Sequence, residues 1–224
     1  MDEASALSRG LAWIRSVPVT VALCLLFAFV FSAEWLVWRR FGYATFVTLF
    51  VATPDPSPGW LLAPLAHLPT DPRHVVSSVV QLVLFGGVVE RRLDRRRFLA
   101  LAAVSGLATT GAQVTWYVVL GASGRVAGTL GASGIVLAMT ALVVVDSVRY
   151  RVATGGWHGD LTWLWVLFGS LVVAQAVFGV VALAAGTAQV GVVGHLTGVA
   201  IGLGVGLVRP TGAVLSSADA RSPS

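Results

Sequence analysis

Lysine is absent from the chain, and cysteine occurs once, at Cys24. A single cysteine excludes an intrachain disulfide and any metal site built on several thiolates. All fifteen basic residues are arginine, which we read as a bias of composition. Charge as a whole is scarce. Only 11% of the 224 residues are charged, whereas a soluble domain carries about a quarter. That shortage excludes a surface wetted on all sides. Hydrophobic residues make up 56% and the mean hydropathy is +0.84, so lipid must be the principal solvent. The net charge of +5 does not point to nucleic acid, because the arginines flank apolar segments and form no stripe. The length leaves room for one domain.

A membrane-spanning helix needs about 20 apolar residues, and six segments approach that. The expected spans are Val17–Trp38, His74–Val89, Phe98–Leu120, Gly131–Asp146, Leu161–Ala185 and Val190–Val208. Residues 1–16 read as a polar cytoplasmic N-terminus. The first apolar run is too long for a signal-peptide core, so it is expected to be retained. Between the first two spans, Pro54, Pro56, Pro58, Pro64 and Pro72 break up a long segment. Its apolar pieces, Phe46–Val51 and Trp60–Leu65, are too short to span and read as interfacial or re-entrant. Residues 209–224 read as a disordered cytoplasmic tail.

The arginines suggest an orientation. With the N-terminus in the cytoplasm, eleven of the fifteen lie inside, including Arg91, Arg92, Arg95, Arg96 and Arg97. Arg39, Arg40, Arg73 and Arg125 then lie outside. Both termini are expected in the cytoplasm of a multi-pass protein, in a prokaryotic cell membrane.

Ionisable groups inside these segments are few. Glu34 lies near the expected end of the first span, and His195 lies inside the sixth. A polar group in lipid is costly and is a functional candidate by default, although a histidine bonded to a neighbouring helix explains His195 equally well. Gly194, Gly198 and Gly202 recur every four residues around it, and such spacing lets two backbones approach closely. A serine facing the imidazole would then have a base within reach, as a nucleophile requires. Gly131-Ala132-Ser133-Gly134 supplies one at the outer end of the fourth span. Gly121-Ala122-Ser123-Gly124 is a second copy, but a helix starting there would carry Arg125 towards the membrane core, so Ser133 is preferred. His74 begins the second span at the same outer end. Three polar groups on three helices are therefore expected at one depth.

His74-Val-Val-Ser-Ser78, then Phe85-Gly86 and Glu90-Arg91-Arg92-Leu93, resemble the second helix of rhomboid proteases. Gly131-Ala-Ser133-Gly134 resembles their nucleophile motif, and His195-x-x-Gly198-x-x-x-Gly202 their sixth-helix motif. His67 is similar to the histidine usual in their first loop. The resemblance runs from about His67 to Val208. It implies an all-α, six-helix rhomboid-like bundle that cleaves transmembrane protein substrates within the lipid bilayer. Ser133 would be the nucleophile and His195 the general base, without an aspartate. His74, the Ser133 amide and position 78 would stabilise the oxyanion, and Gly131, Gly134, Gly198 and Gly202 would allow close packing. It implies no cofactor, no metal and no nucleic acid. The chain departs from the family at Ser78, where asparagine is usual, and at Leu137, where many relatives carry an aromatic residue. It has no clear counterpart of the usual Trp-Arg pair in the first loop.

Two other readings stand beside this one. A catalytically silent relative would bind transmembrane helices, but such proteins typically lose the nucleophile or the base. A transporter would be expected to show more intramembrane charge or paired broken helices.

Overall fold

The structure, a computed structural model, describes residues 3–119, 128–159, 162–184 and 191–208. Their regular structure is helical, with one isolated antiparallel bridge between Ala52 and Thr129. The second Gly-Ala-Ser-Gly copy, most of the Gly121–Gly131 stretch and the tail from Arg209 lie outside the described residues.

Helix α1 (Glu3–Ser16) occupies what read as a merely polar N-terminus. Leu7, Leu11 and Ile14 recur at helical spacing there, and Trp13 reaches Gly87, where an added Cβ would come within 3.0 Å of its ring. Helix α2 (Pro18–Phe50) follows. The amides of its first turn have no helical acceptor. The buried Glu90 carboxylate accepts two of them, from Val19 at 2.9 Å and Thr20 at 2.6 Å.

The first span was expected to stop at Trp38, yet α2 continues to Phe50 across a break at Gly42, where φ is 85° and ψ 176°. No proline occurs between Pro18 and Pro54 to end it, and glycine takes the positive φ without strain. The Phe46–Val51 piece is thus mainly helical, with Phe46 stacked on Phe50 at 5.8 Å.

A short α3 (Gly59–Leu62) and a 3₁₀ turn (Ala63–Leu65) lead to His67. The second span starts at Pro72, two residues earlier than expected, because Asp71 caps the Arg73 amide. It runs as α4 (Pro72–Gln81), a π-helical turn (Leu82–Gly86) and α5 (Gly87–Arg92). Helix α6 is Arg95–Val119, α7 Ser133–Thr154, α8 Thr162–Ala184 and α9 Val192–Val208.

Helix α7 forms the centre of the bundle, with every residue from Gly134 to Val143 buried. It packs most extensively on α9, then on α8 and α6. It starts two residues later than expected and passes Asp146 by two turns. The Asp146 charge does not end the helix, because Arg92 neutralises it at 2.9 Å. Gly155, at φ 74°, supplies the left-handed cap that does end it.

Among the described residues, four helices are long and apolar enough to cross a membrane: Pro18–Phe50, Pro72–Arg92, Arg95–Val119 and Thr162–Ala182. Helix α9 is apolar but has 17 residues.

Candidate active site

Ser133 is the first residue of α7, and the segment leading to it is pinned. Ala52 and Thr129 exchange two backbone hydrogen bonds of 2.9 Å, and the Gly131 amide donates to the Ala63 carbonyl at 2.9 Å. Gly131 has φ 141°, a conformation that favours glycine. A Cβ there would stand 3.4 Å from the Ser133 Oγ and 3.8 Å from the His74 ring. Glycine thus turns the chain and lets the serine and His74 share one space.

His195 lies in the first turn of α9 and donates its amide to the Gly191 carbonyl. Its Nε2 is 2.8 Å from the Ser133 Oγ. Among the described residues no carboxylate forms an ion pair with it. The start of α9 is held by Gln113 of α6, whose Oε1 accepts the Gly194 amide at 2.9 Å.

The approach of the helices depends on missing side chains. A Cβ on Gly198 would lie 2.5 Å from the Gly134 carbonyl oxygen, and one on Gly202 would strike the Ala138 carbonyl. Both obstacles are backbone and cannot swing aside. A Cβ on Gly134 would strike the Thr109 side chain of α6. Gly194 departs from the single face that its spacing suggested. Its nearest neighbour is the Thr109 carbonyl at 3.2 Å, so it abuts α6 while Gly198 and Gly202 abut α7.

His74 and Ser78 lie one turn apart on α4 and line a cavity of about 360 Å³ with Ser133 and His195. Ser78 is buried. Leu137 forms part of the wall, and Gln81 and Gln175 add polar groups that sequence reasoning missed. Gln175 offered a signal, as an amide in a largely apolar helix, whereas Gln81 ends a helix that already carries Arg73, His74, Ser77 and Ser78. His67 stands behind His74, with ring centroids 5.2 Å apart at 78°. Both its ring nitrogens are buried, and neither makes a hydrogen bond of ordinary geometry. Burial pushes its pKa down to about 3, with the nearby His74 adding to the shift.

Among the described residues no group of three His, Cys, Asp or Glu could hold a metal ion. The arrangement brings together a hydroxyl, a base in hydrogen-bond contact and an imidazole across a shared cavity. Those are the parts that nucleophilic acyl transfer needs.

A family model described as the Rhomboid domain matches residues 59–210, from the start of α3 to just beyond α9. Among curated proteins nothing matches the chain.

Proposed function

The chain belongs to the rhomboid family and is a multi-pass integral membrane protein; from that premise we propose that it is an intramembrane serine protease working through Ser133 and His195. The observation that carries this reading is the 2.8 Å contact between the two side chains in a cavity shared with His74.

The Ser133 Oγ attacks the carbonyl carbon of a peptide bond while His195 Nε2 takes the hydroxyl proton. The tetrahedral oxyanion draws hydrogen bonds from His74 and from the Ser133 amide. At a helix start that amide has no carbonyl one turn earlier to serve. The C–N bond then breaks, His195 returns the proton to the leaving amine, and the acyl group remains as an ester on Ser133. Water, deprotonated by His195, attacks that ester and releases the carboxylic acid and the free hydroxyl. Each donor is placed before the charge develops, which is where most of the rate acceleration arises.

The substrate on this reading is the transmembrane segment of another protein, cut near the outer membrane boundary. Six spans and cytoplasmic termini complete the proposal, supported by the bias of the arginines. A fluorophosphonate probe tests the nucleophile. Wild type should be labelled on Ser133 and His195→Ala should not. An unlabelled wild type would instead favour a silent, helix-binding relative.

A further inference from the structure

A second cavity, of about 870 Å³, lies at the opposite end of α7 from Ser133, where α1, the α5–α6 turn, α7 and α8 meet. Arg15, Arg91, Arg92 and Arg95 line it, with Leu93 and Trp165. Glu90 and Asp94 line it as well, but these acids and Asp146 are already engaged. Glu90 serves the α2 amides, Asp146 pairs with Arg92, and Asp94 pairs with Arg97 at 3.2 Å. Arg15, Arg91 and Arg95 have no acid partner among the described residues. Topology alone asks for positive charge on this side of the membrane. It does not ask for arginines gathered round a cavity. Leu93 also lines an apolar groove of about 690 Å³ between α6 and α9, where Arg97 joins Leu101, Val104 and Ile201. Guanidinium groups match phosphate oxygens in geometry and charge.

We propose that this cavity binds the phosphate of an anionic phospholipid, whose acyl chain follows the α6–α9 groove. Native mass spectrometry of the full chain in detergent tests it, with phosphatidylglycerol and phosphatidylcholine of equal acyl length as probes. Wild type should retain phosphatidylglycerol in preference. Each arginine near an anionic surface is worth roughly fivefold in affinity, so Arg15→Gln/Arg91→Gln/Arg95→Gln should weaken retention on the order of a hundredfold. All three are exposed, and a thermal melt equal to wild type should show that the variant folds. No preference in wild type, or an undiminished preference in the folded variant, would overturn the proposal. Displacement of the lipid by an equal concentration of glycerol 3-phosphate would overturn the lipid assignment in favour of a soluble phosphate ester.

Glu34 carries an independent inference. It is fully buried in the middle of apolar α2, and no arginine pairs with it among the described residues. Its two oxygens accept the His67 amide at 2.9 and 3.1 Å. Phe27, seven residues earlier and so on the same face of α2, meets the His67 ring edge-on at 5.6 Å. Helix α2 therefore grips one loop residue twice, by its amide and by its ring, and that ring packs on His74. Residue 34 lies upstream of the family match at 59–210.

The geometry points to Glu34 as a positioning residue that fixes His74 through His67; this rests on the protease reading above. Glu34→Ala should lower kcat roughly tenfold with KM nearly unchanged, as small misplacements do, and Glu34→Gln, which keeps an acceptor oxygen, should recover most of it. In a His74→Ala background Glu34→Ala should cost little more, since residues acting through one another are non-additive. Additive losses would mark a role in the fold alone and overturn the inference. A second readout needs no activity: the His74 ring nitrogen signals of histidine-labelled protein should move in Glu34→Ala and stay in Glu34→Gln. Unmoved signals would sink this inference even in an active enzyme. A wild type that cleaves nothing would sink the protease reading and leave these signals to decide the role of Glu34.

Discussion

The Ser133 hydroxyl and the His195 Nε2 stand 2.8 Å apart across the seam of α7 and α9, although 62 residues separate them in sequence. That contact depends on the close approach of the two backbones, so the glycines of the seam are the first place to disturb it.

Gly198→Ala and Gly202→Ala each place a Cβ against a carbonyl oxygen of α7. Overpacking of this kind costs about 1–3 kcal/mol, and a shift of about 1 Å at a reacting pair can cost on the order of a hundredfold in rate. Both variants should melt earlier than wild type and lose activity. Gly204 has nothing within 4 Å of its Cβ position, so Gly204→Ala should be neutral or slightly stabilising. Thermal melts of the three in one detergent check this, and equal melting of all three would mean that the seam is not tight.

His74 and Ser78 both line the cavity that holds Ser133 and His195, but a serine hydroxyl reaches less far than an imidazole. Losing one oxyanion donor can cost about 10²–10³ in turnover. His74→Ala should approach that loss and Ser78→Ala should fall well short of it. Ser78→Asn, which restores the residue usual in the family, should be tolerated or faster. Turnover of the three variants on one substrate decides the matter. A neutral Ser78→Ala beside an inactive Ser78→Asn would make Ser78 a packing residue.

His67 gives the fold a dependence on pH. Unfolded, a histidine takes up its proton near pH 6.5, whereas in the folded chain burial holds that step down to about 3. The unfolded state therefore binds more protons below 6.5. The stability contribution is complete above that pH and is lost as pH falls towards 3, by up to about 1.4 kcal/mol per unit. His67→Phe should lose less stability than wild type between about pH 7 and pH 5. Identical slopes in thermal unfolding would show that His67 does not titrate in this way.

Ser133, His195, His74 and the tight glycines were legible because local motifs carry them. Gln113 and Glu34 were not, since their roles exist only once distant segments meet: Gln113 at the start of α9, Glu34 at the His67 amide. Their polarity in apolar helices was the available sign. Two helix ends were misread for a related reason. Arg39 and Arg40 read as an end to α2, and Asp146 as an end to α7. Neither charge ends its helix, and Asp146 is neutralised by a partner 54 residues away. The second Gly-Ala-Ser-Gly copy shows the limit of a tetrapeptide, because only its place in the topology separates Ser123 from Ser133.

Cleavage of a single-spanning substrate by the purified chain in liposomes decides whether Ser133 and His195 form a proteolytic dyad. Wild type and Ser123→Ala should release a product cut near the outer boundary. Ser133→Ala and His195→Ala should both be inactive, and the double variant no worse than either, since members of a catalytic unit do not lose activity additively. Cleavage that persists in Ser133→Ala, or that is absent from wild type across substrates in which a known rhomboid cuts, would contradict the account.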